Sequence, residues 1–142
     1  MVDLPTFRVS VLTQEKVHLQ SDAVHMQVPG GLGYLGVLAN HAPLLSTLKP
    51  GKLTVSLKGG KEEIFAVSGG LLKVADNEAV ILAEAVEKPD EIDLERAVQA
   101  KERAEERLKA RQMEIDLERA AAALDRALNR IHIRRDYSEK PR

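Results

Sequence analysis

All nine glycines of this 142-residue chain lie at or before Gly70, and none follows. That partition constrains the fold more than any single motif. Glycine supplies the backbone freedom that tight turns between strands require, and a segment without it can run as uninterrupted helix. Charge divides the same way. Residues 1–88 carry 8 basic and 9 acidic groups, whereas the shorter stretch 89–142 carries 13 of each and, after Pro89 at its start, a single proline, Pro141. Two domains are therefore expected, a β-rich one over 1–87 and a helical one over 88–142.

The first part alternates as strands bounded by turn residues. Phe7-Arg8-Val9-Ser10-Val11 and Ala23-Val24-His25-Met26-Gln27-Val28 have the pattern of half-buried strands. Lys52 to Leu57 and Ile64 to Val67 flank Gly59-Gly60, which predicts a hairpin. Leu71 to Val74 and Ala79 to Ala83 form a second hairpin around Asp76-Asn77-Glu78. With two Phe, two Tyr and no Trp, the core must be aliphatic. The fold class is α+β: an N-terminal β-sandwich of about ten short strands, then a C-terminal antiparallel two-helix hairpin.

In the second part Pro89-Asp90 marks the helix start, with Asp90 as the cap. Leu94, Val98 and Leu108 share one face of the first helix, and Leu117, Ala121, Leu124, Leu128 and Ile131 form a stripe on the second. A break around Arg111 to Glu114 folds the pair into a hairpin. One continuous helix is the competing shape, because no Gly or Pro forces the turn.

The hexapeptide Ile-Asp-Leu-Glu-Arg-Ala occurs at Ile92–Ala97 and again at Ile115–Ala120, an offset of 23 residues. Ala100, Arg103, Ala104 and Arg107 recur at that offset as Ala123, Arg126, Ala127 and Arg130. Each copy therefore carries a row of three arginines. In an antiparallel hairpin Arg96 lies near Arg126 and Arg130, with Glu87 on the entering segment. Guanidinium forks from two helices converging in this way would suit a polyphosphate, since arginine binds phosphate oxygens bidentately. Both rows lie about 180–220° from the leucine stripes by the helical repeat. A solvated face, paired locally by Glu95, Glu102, Glu105, Glu106, Glu118 and Asp125, is the competing reading.

Other function classes find little support. A net charge of −1 gives no reason to expect nucleic acid or an anionic membrane as the main partner. Without cysteine there is no disulfide, thiolate metal site or cysteine nucleophile. Met1 to Pro5 shows no signal-peptide pattern, and no apolar run approaches the roughly 20 residues of a membrane helix. Gly31-Leu32-Gly33-Tyr34-Leu35-Gly36 matches a dinucleotide fingerprint in letters only, because Pro43 prevents the helix that must follow. A turn between strands is expected there instead. No P-loop is present, and His18, His25, His41 and His132 lack metal-ligand spacing. Ser68 lacks the glycine pattern of a nucleophile elbow, so no catalytic constellation emerges.

Pro29-Gly30, Gly33, Gly36-Val37-Leu38 and His41-Ala42-Pro43-Leu44, followed by Leu48-Lys49-Pro50-Gly51, Val67-Ser68-Gly69-Gly70 and Ile81-Leu82-Ala83, stand in a distinctive order ahead of the charged helices. In this the chain resembles the epsilon subunit of F-type ATP synthase, over nearly its whole length. The resemblance implies a β-sandwich and helical hairpin on the central stalk of F1, coupling rotation in a proton-transporting ATP synthase without chemistry of its own. It implies the gamma subunit and the c-subunit ring as partners, with the alpha and beta subunits in an extended state. It also implies a peripheral location on the cytoplasmic face of the bacterial plasma membrane, through the complex alone. Some bacterial members bind ATP as a regulatory ligand in the compact form, by a motif similar to Ile/Leu-Asp-x-x-Arg-Ala. The matching residues here are Glu87, Ile92, Asp93, Arg96, Ala97, Arg103, Arg126 and Arg130, with no metal required. The resemblance implies that Asp93 and Ala97 lie near the base and the arginines near the phosphates. A free-standing nucleotide-sensing adaptor is the alternative function.

Overall fold

The computed structural model describes residues 3–110 and 114–140. They form two compact units, Met1–Glu87 and Lys88–Arg142.

Among the described residues the first unit has seven strands: β1 (Phe7–Leu12), β2 (Val17–Gly30), β3 (Gly33–Leu38), β4 (Leu44–Leu57), β5 (Glu62–Ala75), β6 (Glu78–Ala83) and β7 (Val86–Glu87). The chain closes on itself. β1 pairs in parallel with β6 and antiparallel with β2, and β6, β5, β4 and β2 complete the ring. Closure leaves few open edges to template unwanted pairing. The expected sandwich is present, but its strands are fewer and longer than the sequence suggested. β2, β4 and β5 each run 14 residues. Each serves both layers: the first half of β2 pairs with β1, the second with β3 and β4.

What lets a long strand change layers is a local irregularity: β2 shifts register against β4 at Ala23/His25 and Gln27/Gly30, whereas β5 keeps its register and bends at left-handed glycines. Gly69 and Gly70 on β5 have φ of 97° and 131°, and a side chain at Gly70 would strike the Leu82 carbonyl on β6. Both expected hairpins are found. Gly59 and Gly60 (φ 98° and 96°) turn β4 into β5, while Asp76 and Asn77 (φ 52° and 58°) turn β5 into β6. Gly31 and Leu32 of the fingerprint-like stretch form the turn between β2 and β3, as expected, while Gly33 and Gly36 lie within β3. Inside, Phe65, Met26, Leu53, Leu72 and Ile81 are completely buried in one core that is almost wholly aliphatic.

The second unit opens with a 3-10 turn at Pro89–Glu91, followed by α1 (Leu94–Ala110) and α2 (Glu114–Tyr137). Proline suits the first position of such a turn, because its missing N–H would have had no partner. Ile92 then returns to extended geometry (φ −73°, ψ 124°), so the α-helix must start afresh. Asp93 caps it: the Arg96 amide donates to Asp93 Oδ1 at 3.1 Å. Asp90, the expected cap, is therefore displaced. Its Oδ1 instead accepts from the Ser138 hydroxyl and, at 2.9 Å, from the Glu139 amide beyond the end of α2. Those bonds tie the start of α1 to the end of α2 and fix the helices as antiparallel. The expected turn between them involves residues 111–113, which lie outside the described residues.

The hairpin interface differs from the expected leucine packing. The buried apolar positions of the two helices are Ala97 and Ala104 on α1, and Ala120, Ala127, Ile131 and Ile133 on α2. Leu94, Val98, Leu108, Leu117 and Leu124 are only half-buried, and Ala121 and Leu128 are exposed. Methyl groups at a seven-residue step let two backbones approach closely, and the bulkier leucines are left to flank the seam.

Candidate functional site

Each seam alanine is preceded by an arginine: Arg96-Ala97, Arg103-Ala104, Arg119-Ala120 and Arg126-Ala127. At 100° per residue, the position before a buried seam residue emerges roughly at right angles to the seam direction. Two antiparallel helices with facing seams are related by a twofold axis that lies in the interface and is perpendicular to both helix axes. Equivalent positions on both helices therefore point the same way. Arg107 and Arg130, three residues after a seam alanine, fall on that same side. Six arginines thus share one face of the hairpin. By the same arithmetic Leu94, Val98, Leu108, Leu117, Leu124 and Leu128 share the opposite face. The hairpin has a basic side and an apolar side, divided by alanine.

Among the named candidates, Arg96, Arg103 and Arg126 are exposed and Arg130 is half-buried. Among the described residues, none of the ion pairs involves Arg96, Arg103 or Arg126. The acidic neighbours do little of the pairing expected of them: Lys101–Glu105 at 3.7 Å is an i,i+4 pair on α1 that leaves the arginines out. Guanidinium forks not already engaged with carboxylates are available to an outside anion.

The rest of the signature is structural in this conformation. Ile92 is 3% exposed and Ala97 fully buried, while Asp93 spends one carboxylate oxygen on the helix cap. Glu87 is half-buried on β7, at the end of the first unit. Asp116 and Arg119, the second-copy equivalents, lie in the early turns of α2. Neither groove offers a better anion site. A roughly 880 Å³ groove on the sandwich is lined by Thr13, Glu15, His18, Gly70 and Glu84 among others, and no lysine or arginine contributes. A groove of roughly 620 Å³ on the hairpin sets Arg134 and Arg135 beside Glu95 and Glu102, with Leu94 and Val98 in its wall, so its cations face carboxylates.

Sequence reasoning missed the Asp90 contact with Ser138 and Glu139. Hydrogen bonding by the Ser138 hydroxyl, then by the Glu139 amide, holds the Asp90 carboxyl below its ordinary value, with Lys140 and Arg134 adding to the effect. A partner 48 residues away leaves no local signal. The alanine seam did leave one, in the fourfold Arg-Ala dipeptide.

Two family profiles cover almost the whole chain. The β-sandwich domain of the ATP synthase delta/epsilon chain matches residues 6–89, and the long α-helix domain of the same chain matches residues 90–133. The chain belongs to the ATP synthase delta/epsilon family. Its function is accordingly that of the epsilon chain, a central-stalk subunit of F-type ATP synthase with no catalytic site of its own. Membership in that assembly sets aside the free-standing adaptor.

The ATP synthase epsilon chain of Desulforudis audaxviator is 49% identical over 106 residues, 75% of this chain and 77% of that one. That of Moorella thermoacetica is 44% identical over 108 residues, 76% and 81% of the two chains. A chain from the Euglena gracilis mitochondrial ATP synthase (OSCP/F1/c-ring) superposes with a TM-score of 0.79 at 26% identity, covering 90% of this chain and 81% of that one. A chain from the Tetrahymena thermophila central stalk and c-ring shares the fold alone, with a TM-score of 0.66 at 16% identity over 94% and 99%. Among the described residues no helix is long and apolar enough to cross a membrane.

Proposed function

We propose that the basic face of the hairpin is a regulatory ATP site through which this stalk subunit senses nucleotide. Arg96, Arg103, Arg126 and Arg130 would hold phosphate oxygens. Ile92, Asp93 and Ala97 would shape the end that takes the base. Glu87 enters on its match to the family signature. No metal is needed, because the arginines supply the positive charge. The observation that carries this reading is the gathering of arginines from both helices on one face, with Arg96, Arg103 and Arg126 outside the ion pairs of the described residues.

A ligand held by both helices binds only while they lie together, so it shifts the population toward the closed hairpin. At 100 times its dissociation constant, such a ligand contributes about 2.7 kcal/mol to the state it binds. When ATP falls, the hairpin is freed to open and restrain wasteful hydrolysis. In this reading residues 1–87 act as the docking domain, toward the gamma subunit and the c-subunit ring. Residues 88–142 act as the regulatory domain, meeting the alpha and beta subunits when extended. The location follows: the cytoplasmic face of the bacterial plasma membrane, held there by the complex.

Titration calorimetry of the purified chain tests the site. ATP is expected to bind with 1:1 stoichiometry, and Arg103→Ala or Arg126→Ala should weaken it at least about tenfold, as loss of a charge-assisted contact does. No heat of binding, or an affinity unchanged from the parent in both variants, would overturn the proposal.

A further inference from the structure

We infer that the C-terminal tail, residues 138–140, is a latch that holds the helical hairpin closed independently of any nucleotide. Asp90 Oδ1, in the 3-10 turn ahead of α1, accepts from the Ser138 hydroxyl and the Glu139 amide. The tail is shaped to make both contacts. The Lys140 amide donates to Ser138 Oγ at 3.0 Å, and Arg134 Nη1 donates to the Lys140 carbonyl at 3.3 Å. Arg134 is itself only 9% exposed, so the anchor of the tail is fixed in place. The cations of Arg134 and Lys140 also favour the ionised Asp90 carboxyl.

Two features turn these bonds into a latch. The seam they close is made mainly of alanine methyl groups, each of which removes little apolar surface from water. A hairpin with so lean an interface gains proportionately from a clasp joining its two free ends, 48 residues apart in the chain. The second feature is position. The helical family profile ends at residue 133, so Ser138, Glu139 and Lys140 all lie beyond it. The latch therefore lies outside the matched part of the hairpin, at the end where the helices must part.

The test uses the full chain without nucleotide. Because the natural sequence has no cysteine, spin labels can be placed uniquely at Gln99→Cys and Arg135→Cys, two exposed positions on the hairpin. Distances are read by pulsed electron resonance. The parent should show a short, narrow distribution. Asp90→Ala should raise the long-distance fraction roughly fivefold, the scale of losing exposed charge-assisted bonds. Asp90→Ala also disturbs the turn ahead of α1, so a second variant is needed. Ser138→Ala combined with Glu139→Pro removes both donors and leaves that turn intact. The latch requires this double variant to open the hairpin as Asp90→Ala does. A distribution matching the parent's would overturn it, and the tail would then be a passenger on a hairpin held by its seam alone.

Discussion

The sandwich completely buries Phe65, Met26, Leu53 and Leu72, whereas the hairpin interface rests on Ala97, Ala104, Ala120 and Ala127 with Ile131. The first unit closes five of its strands into a ring whose long members each serve two layers, so no strand can leave alone. The second joins two helices along a line of methyl groups and fastens their ends with a few exposed hydrogen bonds. The contrast suits the two roles proposed above. A docking platform would have to hold its shape under rotation, and a regulatory element would have to open at small free-energy cost.

The comparison breaks first if the sandwich is not the stiffer unit. Phe65→Ala should destabilise it by about 3–5 kcal/mol, the range for a large aromatic removed from a core. Urea unfolding followed by strand signals measures this, and a loss under 1 kcal/mol would refute the account of a tightly packed core. Next comes the seam. Ala104→Leu should overpack it by about 1–3 kcal/mol. Hydrogen exchange is expected to quicken in α1 and α2 and to stay unchanged in β4 and β5. Equal acceleration in both units would mean that they do not open separately.

The smallest effect concerns acid. The Asp90 carboxyl titrates below its unfolded value in the closed hairpin, so its contribution is fully present above that value and lost as pH falls through the lowered one. Closure should therefore be flat near neutrality and weaken only below about pH 4. In Asp90→Asn the acid-dependent step should shrink, and a step of unchanged size would assign it to other carboxylates.

Much of the fold was legible because its signals are local. Gly59-Gly60 and Asp76-Asn77 announce their hairpins through backbone angles that few other residues adopt. The strand count was harder. β2, β4 and β5 cross from layer to layer at irregularities such as Gly69-Gly70, and a continuous strand that changes faces reads in sequence as two short ones. The helix cap slipped from Asp90 to Asp93 for a similar reason. Both aspartates sit near the helix start, and the extended geometry of Ile92 decides which one faces the free amides.

The leucine stripes had the right period but the wrong partner. Hydrophobicity alone ranks leucine above alanine, yet two backbones drawn close together leave room at their contact only for a methyl group. The arginines could be named from sequence, while their common face follows from knowing that alanine is the seam.

The sequence by itself determined that there are two units, where the turns between strands fall, and that a 23-residue repeat carries paired arginine rows. Each of these depends on residues close together in the chain, whose backbone preferences act before any distant contact forms. Tertiary structure decided which side of each helix faces the other, which aspartate caps α1, and that Asp90 meets Ser138 and Glu139. Those outcomes depend on groups that only packing brings together, and closely approaching helices select for small size as well as for hydrophobicity.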